Sequence, residues 1–265
     1  MGYAIGLAAL VLLVRANGGL GYDSYAYWLA GRNVLEGQAL YWPHSEGALG
    51  AFRYPPLFAQ LWAPFTLLPA LVFSWAWRIV CLLSLRYLAG SWRNVGLWLL
   101  VPFTLTELSI ANVTFPVAAL SVMALNGRAG LASWAGALKI GPLLLLPYLW
   151  LKQPQTRRSL LFGTVALGVA CGASFAVSPD SWWLYFQALG WMTTSDTESF
   201  GVISIVPNGL VDALVRFAVG LALVAWAIRR RSDRLAFTAT IVAVPVLAVW
   251  RLVPLLVLPR LGRAR

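Results

Sequence analysis

An all-α, multi-pass membrane protein is the fold class this sequence predicts, and three observations carry that prediction. Of its 265 residues, 60% are hydrophobic and only 11% are charged, where a soluble domain carries about 25% charged residues. Several apolar runs approach the roughly 20 residues that a helix needs to cross a bilayer. The basic residues gather in short loops between those runs, at Lys152/Arg157/Arg158 and Arg229/Arg230/Arg231/Arg234, as they do on the cytoplasmic side of membrane proteins. The net charge of +11 would point to nucleic acid in a soluble chain. Here no basic stripe with base-stacking aromatics stands apart from the hydrophobic runs, so nucleic-acid binding is excluded.

The elements follow in order. Residues 3–14 form the first apolar run. It lacks a basic leader and no A-x-A-type site follows it, so it reads as a membrane helix rather than a cleaved signal peptide. Residues 15–55 are not membrane-like and are rich in Tyr and Trp, which favour the water–lipid interface. Within them a helix over 24–36 is expected, with Asp23 as its N-cap and Gly37 as its stop. Apolar segments then fall at 56–68, 70–90, 94–106 and 109–126, the last two joined by "TELSIAN". The next run, 129–151, is interrupted at "LKIGP", where a Lys, a Gly and a Pro meet. Breaks of this kind are tolerated at membrane depth only where protein or a water-filled cavity satisfies the freed backbone groups. They predict an internal polar cavity rather than a plain anchor bundle.

Segment 158–178 leads to a second aromatic stretch, 178–208, and segments 209–229 and 235–258 complete the chain. The expectation is a single integral membrane domain over 1–265 with about nine membrane elements, some short or broken. The basic loops place 178–208 outside, and an alternating count places 15–55 outside as well. That count also puts Arg93 and Arg128 outside. Treating 94–126 and 129–151 as re-entrant hairpins returns both arginines to the cytoplasm, but then 56–90 needs an odd number of crossings. In either version the two aromatic loops share a face.

Cys81 and Cys171 both lie inside apolar runs, which supports neither a disulfide framework nor a metal site. The single histidine, His44, argues against a His-rich metal centre or a Ser-His-Asp triad. The chain has nine carboxylates, few enough to screen individually. Asp233 falls in a basic loop and reads as a solvated or paired charge. Asp212 opens a helix, where it meets the positive end of the helix dipole. Asp180 fits an N-cap for "SWWLYFQAL". Asp196 and Glu198 lie in a polar loop, Glu46 shares a Gly-rich loop with His44, and Glu36 ends the first loop's helix. Glu107 sits at the tip of a short-helix pair, where a carboxylate is costly without water or a cation nearby.

Asp23 remains. Capping its helix is the simpler role, and it does not exclude chemistry, since a capping carboxylate can still face a cavity. Two cations inside apolar runs, Lys139 and Arg251, would each cost about 2.5–3.5 kcal/mol at a helix centre and are functional-site candidates on that ground; the alternative is snorkelling to an interface. Arg53 in "AFRYPP" lies at a loop-to-helix junction and could meet an anionic headgroup. An external carboxylate, cations at depth and broken helices together suit a reaction on a lipid phosphate.

Three stretches in order, "YDSYAYWLAGRNVLEGQALYW", "FRYPPLFAQLWAPFTLLP" and "GRAGLASWAGALKIGPLLLLPYLW", resemble glycosyltransferase family 87. The matching positions are Asp23, Gly37 with Tyr41, Phe52/Tyr54/Pro55/Pro56, Pro64 to Pro69, Gly127/Arg128 and Lys139/Pro142. The resemblance covers most of 18–151 and fades beyond it. Where the family often has Gly-Gln-x-Asn, this chain reads "LSIANVTFP" and keeps Asn112. Where a Trp and a His-containing or basic pair is common, it has Trp250-Arg251 without the His.

The resemblance implies a GT-C-type membrane enzyme that uses a polyprenyl-phosphate sugar, chiefly mannose, with a lipid or glycan as acceptor. It implies inverting transfer with Asp23 as general base. Lys139, Arg251 and Arg53 would meet the donor phosphate. Tyr25, Tyr54, Asn112 and Glu107 would bind substrate. The phosphate departs as an anion, so the mechanism requires no general acid, metal or cofactor. The cell membrane is the expected location. Two other readings stay open: a membrane transporter or lipid carrier, and a degenerate family member acting as a structural partner.

Overall fold

The computed structural model describes residues 8, 10–12, 14–15, 19–41, 52–192, 209–243 and 249–261, without side chains at 190–192, 209 and 249–251. Every regular element among the described residues is helical. The α-helices from residue 22 onward are α1 (Tyr22–Glu36), α2 (Pro56–Trp62), α3 (Ala70–Ala89), α4 (Trp92–Trp98), α5 (Pro102–Ile110) and α6 (Thr114–Leu125). They continue as α7 (Leu131–Leu138), α8 (Leu145–Lys152), α9 (Arg157–Val177), α10 (Pro179–Met192), α11 (Gly209–Arg230) and α12 (Asp233–Val242). Short 3-10 turns at Ala63–Leu67, Gly141–Leu144, Pro154–Thr156 and Val249–Val257 complete the set. The described residues between 8 and 15 are helical too.

Punctuation residues set many of these limits. Gly37 ends α1 in the left-handed region at φ 66°, a conformation that costs glycine little. Pro56 opens α2 at its first position, where a missing N–H is not felt. Ser91 and Ser232 cap α4 and α12 by accepting the backbone N–H of Asn94 and Leu235.

Among the described residues, three stretches are long and apolar enough to cross a membrane: Ala70–Ala89, Pro154–Val177 and Leu210–Arg230. A fourth span results if the bent pair Pro102–Ile110 and Thr114–Leu125 is counted as one. On α9, Phe162, Val165 and Val169 are 77%, 62% and 68% exposed. Their helical spacing makes one apolar stripe suited to lipid. The expected apolar segments 56–68, 94–106 and 129–151 are divided into shorter helices and 3-10 turns, in keeping with the expected short and broken elements, while 3–14 lies largely outside the described residues.

The chain clusters into two compact units, one of residues 1–116 with 172–192 and the other of residues 117–171 with 193–265. In the first unit α1 packs on α2, on the 3-10 turn after it, on α3 and on α5. α10 packs on α2, where Gln60 Nε2 donates to Ser178 Oγ at 2.8 Å. In the second unit α11 and α12 pair closely and both pack against the turn Gly141–Leu144 and against α8. Tyr148, fully buried in α8, donates its hydroxyl to Asp233 Oδ1 at 2.7 Å. Asp233 is thus a paired charge in the first turn of α12. Asp212, in the first turn of α11, accepts from Arg216 Nε at 2.6 Å in a buried ion pair.

Candidate active site

The first unit's polar corner is built from α1, α3 and the bend between α5 and α6. α1 opens two residues earlier than the sequence predicts. Gly21 takes the N-cap place in extended conformation with no side-chain cap, and Asp23 lies inside the first turn. Asp23 is therefore not the cap. It keeps a favourable place at the positive end of the helix dipole, and its carboxylate is left for a long-range partner. Gly21 is required by close approach: a Cβ there would come 2.7 Å from the Ile110 carbonyl oxygen at the end of α5.

α5 and α6 meet at 104°. Ala111, at the bend, is left-handed with φ 56° and ψ 51°, which for a residue with a Cβ costs of order 1–3 kcal/mol. The end of α5 also leaves backbone carbonyls without intrahelical partners. Donors from one face of α3 supply them. Trp77 Nε1 donates to Ala111 O at 2.9 Å, Cys81 Sγ to Asn112 O at 3.3 Å, and Arg78 Nη2 to Ser109 O at 3.0 Å.

Arg78 also ties the approach to α1 to this bend. Its Nη1 donates to Gly19 O at 2.9 Å and to Ser74 Oγ at 3.1 Å. Ser74 Oγ in turn accepts the Gly21 N–H at 3.0 Å and lies 2.6 Å from Ser24 Oγ. One buried guanidinium thus joins carbonyls 90 positions apart, from Gly19 to Ser109.

Asp23 meets Asn112 in this frame. Asn112 Nδ2 donates to Asp23 Oδ2 at 2.6 Å. Asn112 Oδ1 accepts two bonds from Thr114, its backbone N–H at 2.9 Å and its hydroxyl at 2.7 Å. Asp23 is half-buried and Asn112 is buried.

Aromatic side chains wall the corner. Tyr27, one turn beyond Asp23, is buried, and its ring makes an edge contact with Trp77 at 5.9 Å. Its hydroxyl lies 3.1 Å from that of Tyr54. Burial first, then Tyr54 and Asp23, hold the Tyr27 phenol well above its ordinary range. Tyr41 donates its hydroxyl to Tyr54 O at 2.5 Å, and its ring lies 5.7 Å from Tyr185 of α10. Burial, then Tyr185, raises the Tyr41 phenol as well. The two aromatic stretches of the sequence therefore touch within one unit.

Of the residues singled out from the sequence, Asp23 and Asn112 are in direct contact. Tyr54 belongs to the adjoining aromatic wall, with half-buried Arg53 beside it in the chain. Glu107 is fully buried in α5, and its backbone oxygen accepts the Asn112 N–H at 3.3 Å. Tyr25 is half-buried and stacks on Trp28 at 6.0 Å. Lys139 belongs to the second unit, where it is half-buried and closes α7 in extended conformation. The Arg251 backbone lies in the 3-10 stretch Val249–Val257, while its side chain is outside the described residues. His44, Glu46, Asp196 and Glu198 also fall outside them.

Arg78, Ser74 and Thr114 were not singled out. Arg78 carried a readable signal, a cation inside the apolar run 70–90, the same signal that drew attention to Lys139. Thr114 carried none, because its importance rests on the bend. Among the described residues, no group of three or more His, Cys, Asp or Glu gathers in a way that could hold a metal ion.

The family model of glycosyltransferase family 87 matches residues 52–259 of the chain. No curated protein and no solved structure matches it.

Proposed function

The chain belongs to glycosyltransferase family 87, a membrane glycosyltransferase acting on a sugar donor and an acceptor, and from that premise we propose which sugar it moves and how. The donor is a polyprenyl-phosphate hexose, with mannose the first choice. The acceptor is a lipid or glycan at the external face of the cell membrane, the face of the loops 15–55 and 178–208.

Asp23 takes the proton from an acceptor hydroxyl. The acceptor oxygen forms its bond to the anomeric carbon as the bond from that carbon to the phosphate oxygen breaks. The anomeric configuration inverts, and polyprenyl phosphate leaves as an anion. Positive charge aimed at the departing phosphate lowers this barrier, the role assigned to Lys139, Arg251 and Arg53. Tyr25, Tyr54 and Glu107 contact the sugar and acceptor. The observation that supports this reading is the Asp23 carboxylate, half-buried and held at 2.6 Å by Asn112 beside an aromatic wall. General-base catalysis of this kind contributes about 10²–10⁴-fold.

The test is transfer by the protein reconstituted in vesicles, offered labelled polyprenyl-phosphate mannose, polyprenyl-phosphate glucose or a nucleotide sugar. Label should move from polyprenyl-phosphate mannose, and the product anomer should be inverted. Transfer from the nucleotide sugar alone would overturn the donor, and a retained anomer would overturn the single displacement.

A further inference from the structure

We infer that Asn112 is the positioning residue for the base, and that Thr114 fixes which way its amide faces. The inference rests on the reading of Asp23 as general base. All four polar groups of Asn112 are engaged. Its N–H donates to Glu107 O at 3.3 Å and its carbonyl accepts from Cys81 Sγ at 3.3 Å. Its Oδ1 takes both Thr114 donors and its Nδ2 meets Asp23.

An amide has one accepting and one donating end. The Thr114 backbone N–H can only donate, so Oδ1 must face Thr114 and Nδ2 must face the carboxylate. Turning the amide over would set its NH2 against the Thr114 N–H and its oxygen against Asp23, losing the hydrogen bonds on both sides. Asn112 therefore has two separable roles. Its oxygen accepts the Thr114 N–H at the start of α6. Its nitrogen orients Asp23 and favours the ionised carboxylate by donating to it. An ionised, oriented carboxylate is what proton abstraction requires.

The surroundings do not supply this role from elsewhere on α6, which bears no titratable side chain. Besides Asp23, the titratable and charged groups on the elements packed here are Tyr22, Tyr25, Tyr27, Arg32 and Glu36 of α1, Tyr54 ahead of α2, Arg78, Cys81, Arg86 and Tyr87 of α3, and Glu107 of α5. Each remains in place in the variants below.

Asn112→Asp separates the two roles. The introduced side chain keeps an oxygen for the Thr114 donors and so keeps the cap, but it sets a second carboxylate against Asp23. Two carboxylates in one site titrate as a pair, with one step raised. The acid limb of the kcat profile for mannosyl transfer should move up by about one pH unit or more. Transfer at pH values below the native limb should fall about tenfold for each unit of that shift and recover as pH rises. An unmoved acid limb would overturn the inference and leave Asn112 a helix cap only.

Thr114 gives a second arm that does not depend on the folding of that variant. Thr114→Val removes one donor to Oδ1 and should lower kcat several-fold at unchanged KM, while Thr114→Ser keeps both donors and should restore it. Native kcat in Thr114→Val would overturn the hydroxyl's part in fixing the amide, which would then rest on the Thr114 N–H. Asp23→Asn assayed alongside distinguishes the failures. If it transfers normally, the base reading itself fails. If it is inactive while the Asn112→Asp profile is unmoved, only the positioning role fails.

Discussion

The chain breaks its helices in two different ways, and the contrast separates a place suited to chemistry from a place built by packing. At the α5–α6 bend, side chains of α3 satisfy the freed carbonyls, and Asn112 and Thr114 bring a polar network up to Asp23. At the α7–α8 break, space is made by leaving side chains out. A Cβ on Gly141 would lie 2.0 Å from Thr240 O, one on Gly136 2.3 Å from Leu143 Cδ2, and one on Gly220 2.8 Å from Leu144 Cδ1. The first break fixes hydrogen-bond donors and acceptors in direction. The second fixes a backbone path and leaves Lys139 at its turning point. A buried polar network is sensitive to the identity of each group, whereas a packed crossing is sensitive to volume.

The largest expected effect falls on the packed break. Gly141→Leu forces the turn off Thr240, and little folded protein should be recovered after detergent extraction and size-exclusion chromatography. A native elution profile and yield would show that the second unit yields easily there. The polar corner should respond differently. Arg78→Met leaves the Gly19 and Ser109 carbonyls short of a donor, at about 1–3 kcal/mol for each buried group. Arg78→Lys restores charge but lacks the fork that spans two carbonyls. Both should lower the thermal midpoint, and both should lower kcat by more than the loss of folded protein accounts for. A lysine variant with native kcat would mean that charge alone suffices at position 78.

The smallest effect concerns pH. Burial holds Tyr27 and Tyr41 above the ordinary tyrosine value of 10.0. A group whose pKa is raised by folding contributes stability that is complete below the unfolded value and is lost as pH rises towards the folded one. The thermal midpoint should therefore be unaffected by these tyrosines up to about pH 10 and fall beyond it, with Tyr27→Phe reducing the fall. An identical alkaline slope in Tyr27→Phe would remove that residue from the explanation.

Much of the fold was legible in the sequence because its signals are local. Apolar length marked 70–90, 158–178 and 209–229, Gly37 marked the end of α1, and "LKIGP" marked the break at Lys139. The resemblance to family 87 came from short motifs of the same local kind, and the family match bears it out. The start of α1 was misplaced because Asp at a helix entrance ordinarily caps it. Here Gly21 must approach α5 too closely for any side chain, so it takes the cap position. The Asp23–Asn112 pair spans 89 positions, and no local pattern encodes such a contact. Arg78 is an intermediate case, visible as a cation in an apolar run yet silent about the two carbonyls it joins.

The most direct measurement is mannosyl transfer by Asp23→Asn in vesicles, with its thermal midpoint recorded alongside. Asparagine keeps the shape of the side chain but cannot accept the acceptor's proton. The expected result is a loss of at least about 10²-fold in kcat with a midpoint close to native. Transfer within a few-fold of native by the folded variant would contradict the assignment of Asp23 as the base.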